Sequence, residues 1–173
     1  SMKTRKIVLI AADVILLIVG IVQIILNSRS TVKSFTFTES PDKILIEKDD
    51  GNLSIVSEDG KWLINNEKFE AVESNIDSMI SYAQNIKALD RVASLSNAAS
   101  VAKYEFDDAN AIKVTLSAGD KVLRTFTLGK DSSTGIQCYA TVNDTNDIYL
   151  VDGDYRNIFD KTEDQVRTKT VYS

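Results

Sequence analysis

The chain has no histidine and a single cysteine, Cys138, among its 173 residues. One cysteine excludes an intrachain disulfide, and the missing histidines exclude zinc sites of the Cys/His type. Without histidine the usual serine and cysteine nucleophiles also lack their general base, and no G-x-S-x-G nucleophile elbow occurs. We interpret Cys138 as a small buried residue of a strand, with a reactive thiol as the less favoured alternative.

Tryptophan and proline are equally scarce, with one residue of each. Glycosidases use two carboxylates whose separation is a distance in space, which the sequence does not give. Such enzymes usually add aromatic platforms for the sugar, and one tryptophan does not supply them. We therefore expect a protein that is not an enzyme and has no cofactor and no metal. An extracytoplasmic enzyme is kept as a third hypothesis.

Basic residues are outnumbered beyond residue 26, where 17 lysines and arginines stand against 24 aspartates and glutamates. The first six residues show the opposite bias, since Lys3, Arg5 and Lys6 occur there without an acid. An acidic domain repels phosphate backbones and anionic head groups, which argues against nucleic acid as a partner.

A long apolar run occupies residues 7–26 and is interrupted only by Asp13 and Gln23. Twenty residues of α-helix rise about 30 Å, the thickness of the hydrocarbon core of a bilayer. A secretory signal peptide is the alternative, but its apolar region would be shorter, about 7–15 residues, and the end of this run, IILNSRS, contains no Ala-x-Ala pattern. The basic residues before the run place the N-terminus in the cytoplasm and the rest of the chain outside.

These features divide the chain into four parts. Ser1 is interpreted as the remnant of an expression tag, so residues 1–6 form a cytoplasmic tip. Residues 7–26 are predicted to be a transmembrane helix, 27–34 a polar stalk, and 35–173 one extracytoplasmic domain of ordinary size.

The carboxylate inside the apolar run requires an explanation. Asp13 lies on one helical stripe together with Leu16, Gly20 and Gln23, because offsets of three, four and seven residues share a face. Small and polar residues on one stripe are typical of transmembrane helices that pack against each other. One hypothesis is that this face docks onto another membrane helix; the other is that Asp13 is a tolerated acid near the interface. The sequence does not decide between them.

Hairpins dominate the start of the outer domain. Segment 43–64 reads as three strands joined by tight turns at Asp50-Gly51 and Asp59-Gly60, the strongest hairpin signals in the chain. The spacing then changes to three and four residues, which predicts an amphipathic helix over about 69–89. Its predicted buried face is formed by Val72, Ile76, Met79, Ile80, Ala83, Ile86 and Leu89.

Further hairpins are predicted after residue 91. A short strand and a helical turn at about 97–103 precede two strand pairs, one across Ala118-Gly119-Asp120 and one across residues 143–146. A short helix is predicted near residues 155–159. The resulting fold class is α+β, with antiparallel sheet built from hairpins and one long covering helix, preceded by a single transmembrane helix.

Two motifs that suggest ligand binding fail on inspection. In the segment LGKDSSTG (128–135), Gly129-Lys130 is followed by Asp131 where a P-loop requires serine or threonine, and Arg124 stands in place of the P-loop glycine, so this loop is interpreted as a turn. Acidic residues cluster at four places, but none supplies the alternating acids, central glycine and late glutamate of a calcium loop. Aspartate favours turns for local reasons, and we interpret all four clusters as turns. They are Asp49-Asp50, Asp107-Asp108, Asp144/Asp147 and Asp152/Asp154.

Several segments of the outer domain resemble a bacterial family in order and spacing. These are WLIN from Trp62, LDRVAS from Leu89, YEFDDANAIKVTL from Tyr104, TLGK with Gly129, CYATV with Tyr139, and DIYLV with Tyr149. Together they make residues 35–173 similar to the domain of unknown function 4340 family. Members often have glycine after the tyrosine and proline before the next strand, whereas Glu105 and Asn110 stand here. Many members are longer and carry the unit twice.

The resemblance implies a membrane-anchored protein, because family members are commonly anchored and many are associated with ABC transporters of the gliding-motility type. It implies a non-catalytic accessory or scaffold subunit of such an assembly and provides no functional residues. The alternative is a stand-alone extracytoplasmic binding module for cell-wall material or an exported ligand. The aromatic side chains of Trp62, Tyr104, Phe106 and Tyr139 are interpreted as core, with an exposed patch for a partner as the alternative.

Overall fold

The computed structural model describes residues 33–65 and 69–166, which form ten strands and four helices. The strands are β1 (Lys33–Thr36), β2 (Lys43–Glu47), β3 (Leu53–Glu58), β4 (Lys61–Ile64), β5 (Phe69–Glu70), β6 (Asn85–Ser94), β7 (Ile112–Ala118), β8 (Lys121–Asp131), β9 (Gln137–Val142) and β10 (Asp147–Asp152). The helices are α1 (Glu73–Gln84), α2 (Ala98–Lys103), α3 (Tyr155–Phe159) and α4 (Glu163–Val166).

All ten strands belong to one sheet in the order β1-β6-β10-β9-β8-β7-β2-β3-β4-β5. Every neighbouring pair is antiparallel. The hairpin predicted at Asp59-Gly60 is confirmed: both residues have positive φ, 51° and 78°, as the favoured two-residue turn requires. Hairpins at Gly51, across residues 119–120 and across residues 143–146 are confirmed as well.

The main core lies on one face of this sheet. Alternate residues of the strands point into it, for example Ile44 and Ile46 of β2, which are completely buried, and Phe126 of β8. Helices α1, α3 and α4 contribute side chains to the same core, including Met79 and Tyr155. We call this side of the sheet the core face.

A smaller cluster covers part of the opposite face, which we call the outer face. It is built around Tyr104, Phe106 and Ile148, with Val101 of α2 and Tyr139 of β9 packed against it. Because neighbouring residues of a strand point to opposite faces, Cys138 and Ala140 lie in the main core while Tyr139 lies on the outer face.

The predicted fold class is wrong. The described residues form predominantly one large antiparallel sheet, and the long covering helix expected over 69–89 does not exist. Helix α1 ends at Gln84, and the next ten residues form β6, which pairs with β1 and β10. The prediction was wrong because Ile86 fits both patterns: it is three residues from Ala83, a helical spacing, and two residues from Ala88, a strand spacing. Ala88 is buried and Leu89 only half-buried, as the strand requires.

Two long-range contacts cap the C-terminus of α1. The Arg124 guanidinium donates from Nε to the carbonyl of Ala83 at 3.3 Å, and the Tyr155 hydroxyl lies 2.9 Å from the carbonyl of Tyr82 and 3.1 Å from that of Asn85. The last carbonyls of a helix need such partners. The chain therefore turns from helix to strand within one residue and without a capping glycine.

Arg124 is 5% exposed, and burial lowers the pKa of its guanidinium. Hydrogen bonds and cation–π contacts offset the free-energy cost of burying this charged group. Nη1 donates to the side-chain oxygen of Asn143 at 3.1 Å, and the guanidinium lies 5.3 Å from the ring centroid of Phe37.

The predicted transmembrane helix over 7–26 lies outside the described residues. So do most of the predicted stalk and the proposed docking face of Asp13, Leu16, Gly20 and Gln23. Across residues 33–65 and 69–166, every helix is too short or too polar to cross a bilayer. Strand β1 begins at Lys33, two residues before the predicted start of the outer domain.

Candidate functional site

A three-residue segment crosses the outer face of β8 directly after α2. The carbonyl of Tyr104 accepts a hydrogen bond from the backbone N–H of Lys130 at 2.9 Å. A Cβ atom at Gly129 would lie 2.3 Å from this carbonyl oxygen and 2.6 Å from the Phe106 ring. Only glycine allows this approach of two backbones. We call residues 104–106 the crossing segment.

Glu105, in the middle of the crossing segment, has a φ of 60°. A side chain makes this left-handed conformation unfavourable by about 1–2 kcal/mol, whereas glycine adopts it freely. Glycine at this position would avoid the strain.

We expect Glu105→Gly to stabilise the folded chain by up to about 1 kcal/mol, because relief of the left-handed strain exceeds the added entropy of the unfolded state. Chemical denaturation checks this, with Glu105→Ala as the matched control. Alanine removes the same carboxylate and retains the strain. Equal stability of the two variants would contradict the strain argument.

On one side of the crossing segment, two aromatic rings and two ammonium groups converge. The rings of Tyr104 and Tyr139 have centroids 4.5 Å apart and are tilted by 51°. Lys103 Nζ lies 5.2 Å and Lys130 Nζ 5.8 Å from the Tyr104 ring centroid. We call these four residues the tyrosine–lysine cluster. Lys103 is the last residue of α2 and Tyr104 follows it, while Lys130 lies in β8 and Tyr139 in β9.

On the other side lies a cleft of about 430 Å³. Phe106 and Thr127 line it together with the carboxylates of Glu47, Asp49 and Asp108. Two lysines also line it, but both ammonium groups have acidic partners. These partners are Asp160 for Lys48, at 3.4 Å, and Asp144 for Lys113, at 3.8 Å.

Lys48 connects this cleft with two smaller ones of about 240 and 170 Å³. Its ammonium group donates to the carbonyl of Lys161 at 2.8 Å, and its side chain is only 10% exposed. Asp160 extends the network to Arg156, whose Nη1 donates to the carbonyl of Gly129 at 2.7 Å. The network therefore fastens the end of α3 to the residue after β2 and to β8, and neither cation is free for chemistry.

Two groups near this network have shifted pKa values. Burial, and then the neighbouring Asp154, raise the pKa of the Asp131 carboxyl, while Arg156 opposes the shift. Burial raises the pKa of the Cys138 thiol to about 12, so the thiolate is scarce at neutral pH. Cys138 is completely buried in β9, and its interpretation as a structural residue is confirmed.

The four acidic clusters mostly serve turns and ion pairs. Asp154 caps α3 by accepting from the N–H of Asn157 at 3.3 Å, and Asp147 pairs with Arg91 at 2.6 Å. Asp49 and Asp108, from two different clusters, line the same cleft. Within the described ranges, no three acidic or sulfur side chains are arranged to hold a metal ion.

The turn predicted within residues 128–135 begins later than expected, because Gly129 and Lys130 continue β8 to Asp131 and the turn follows at residues 132–136. The interpretation of the aromatic residues as core is confirmed for Tyr104 and Phe106, each 9% exposed. Trp62 is half-buried against the main core, and Tyr139 is half-buried against the smaller cluster on the outer face. Sequence reasoning missed Lys103 and Lys130, because only the crossing segment brings them together.

Comparison with known proteins gives one match. A family profile described as "Domain of unknown function (DUF4340)" matches residues 62–173. The matched region begins at Trp62 in β4 and contains the crossing segment and the tyrosine–lysine cluster. No curated protein and no solved structure matches the chain.

Proposed function

Because the chain belongs to the DUF4340 family, we propose that it is a non-catalytic accessory or scaffold subunit of an ABC-type transporter assembly in a bacterial envelope. In this proposal residues 7–26 anchor the chain in the cell membrane. The N-terminus is cytoplasmic and the sheet domain extracytoplasmic, in agreement with the basic residues at positions 3, 5 and 6.

The position of β1 carries the proposal. This strand is the first of the sheet order and pairs, within the described residues, only with β6.

Edge strands are ready sites for an added strand, because their backbone groups on one side are unpaired. Ser34 and Thr36 are exposed on this edge. We propose that β1 and the Asp13 face of the anchor contact the same partner.

Co-purification from native membranes after mild crosslinking tests the proposal. We expect transporter subunits to accompany the wild type and to be reduced at least tenfold with Asp13→Leu, because leucine cannot replace the polar contact of the carboxylate. Asp59→Asn is the matched control, since it removes one exposed carboxylate from a distant turn. Asparagine also tolerates the φ of 51° found there.

A photocrosslinking side chain at Ser34 locates the contact. We expect it to capture the partner, while the same group at exposed Lys61, on β4, does not. If wild type, Asp13→Leu and the control give the same background, the accessory function is wrong.

The second candidate is a stand-alone binding module. The cleft of about 430 Å³ favours it, because this volume lies within the range of small-molecule sites, about 300–1,000 Å³. This function requires no membrane partner, so Asp13→Leu would leave it unchanged.

A further inference from the structure

We propose that the tyrosine–lysine cluster binds a phosphate group, either free or carried as an ester. The inference concerns Lys103, Tyr104, Lys130 and Tyr139 and is independent of whether the chain docks to a transporter. It assigns a ligand class to a surface that is separate from the cleft beside Phe106.

The geometry places two cations on one ring. Lys103 Nζ lies 5.2 Å and Lys130 Nζ 5.8 Å from the centroid of Tyr104. The backbone of Lys130 is held beside Tyr104, because the Lys130 N–H donates to the Tyr104 carbonyl at 2.9 Å. Lys103 is the last residue of α2 and directly precedes the ring. The backbone thus brings both lysines to the ring of Tyr104.

The charges of these lysines are not neutralised by the described part of the protein. Neither ammonium group has a carboxylate within 4.0 Å there, although five ion pairs occur elsewhere. Glu105, which directly follows Tyr104 in the chain, is exposed and pairs with neither lysine. Both ammonium groups lie over the same aromatic ring, which compensates only part of their positive charge. An anion that contacts both groups would neutralise it.

The excess of acids in the domain does not prevent this binding. At physiological salt, charges more than about 8 Å apart are largely screened from each other, so the nearest groups determine the local potential. Only Lys103 and Lys130 provide charge within the cluster. A long phosphate polymer would still be repelled by the rest of the surface, which favours a single phosphate group.

The donors present suit phosphate better than carboxylate. Two ammonium groups and two phenols match a phosphate ester, which carries about −1.5 to −2 charges at pH 7 and three strong acceptor oxygens, better than a carboxylate with one charge. Lysine binds phosphate as a point charge. The phenol oxygens of Tyr104 and Tyr139 make no hydrogen bond to a described residue. Every buried polar side-chain atom there has a partner, so both phenols reach solvent and can donate to a ligand.

The test titrates inorganic phosphate and glycerol phosphate into the full-length chain in neutral detergent micelles. Binding is followed by NMR at the lysine Cε–Hε groups. We expect saturable shifts at Lys103 and Lys130, and a dissociation constant at least about tenfold weaker in Lys103→Gln and in Lys130→Gln. Lys87→Gln is the matched control, because Lys87 is exposed and also lacks an ion pair in the described residues.

A second arm separates the sources of the phosphate. The chain is placed in phosphatidylcholine nanodiscs with and without phosphatidylglycerol. Lysine shifts that require phosphatidylglycerol and disappear in both glutamine variants identify a lipid head group; shifts with the free ions identify a small phosphate. Lys130→Arg keeps the positive charge, so it should retain binding. This control distinguishes loss of the charge from a variant that fails to fold. The proposal is overturned if no probe saturates, or if Lys87→Gln weakens binding as much as the cluster variants do.

Discussion

Replacement of Gly129 by alanine is expected to destabilise the protein by about 3 kcal/mol or more. The added Cβ would lie 2.3 Å from the Tyr104 carbonyl oxygen and 2.6 Å from the Phe106 ring. The first contact is with backbone, so a side-chain rotation does not relieve it. The crossing segment must move away from β8, which breaks the Lys130–Tyr104 hydrogen bond and opens the outer cluster. Chemical denaturation measures the loss.

Gly119→Ala is the matched control for Gly129→Ala. Gly119 has a φ of 58° and nothing within 4 Å of the position of a Cβ atom. Alanine there introduces only the strain of a left-handed residue, about 1 kcal/mol. If both variants lose equally little stability, the close approach at Gly129 is not important for the fold. Hydrogen exchange should place the loss for Gly129→Ala in residues 101–106.

Tyr155→Ala is the second substitution with a large expected effect, a loss of about 3–5 kcal/mol. Tyr155 is 2% exposed and contacts the rings of Tyr82, Phe126 and Phe159, with centroids 5.0, 6.0 and 6.4 Å away. Its hydroxyl also caps the end of α1 through Tyr82 and Asn85. The alanine variant therefore removes both a central part of the core and a helix cap.

Tyr155→Phe separates these two contributions. It retains the ring and removes the hydroxyl, so we expect a loss of about 1–2 kcal/mol. Burial raises the pKa of the Tyr155 phenol, which remains a hydrogen-bond donor throughout the neutral range. Faster hydrogen exchange in Tyr155→Phe should be concentrated at residues 82–87. A loss as large as in Tyr155→Ala would show that the hydroxyl dominates; no loss would show that the cap is unimportant.

The turns of this protein were predictable because their requirements are local. Asp59-Gly60 needs two positive φ angles, and glycine provides one without strain. The pairs across residues 119–120 and 143–146 follow from similar turn residues and from alternating strands. Asn97 was a recognisable start of α2, and its side chain accepts from the N–H of Ala99 at 2.9 Å.

The end of α1 was not predictable in this way. Its last carbonyls are capped by Arg124 and Tyr155, which lie 41 and about 70 residues further along the chain. A helical spacing continues through Ile86, so the local pattern favours helix beyond Gln84. Pairing of β6 with both β1 and β10 overrides that preference. Because the helix was predicted to continue to residue 89, the predicted fold class was α+β with a long covering helix. The described residues instead form one large sheet with short helices.

The sequence by itself determined what the protein lacks and where most of its hairpin turns lie. It excluded intrachain disulfides and histidine chemistry, marked the hairpins, and provided the motifs that identify the DUF4340 family. Only the tertiary structure decided the length of α1 and the meeting of Lys103 with Lys130 on the ring of Tyr104. The physical reason is range: a turn depends on two or three adjacent residues, whereas a helix end capped from another strand and a shared ring depend on residues that only folding brings together.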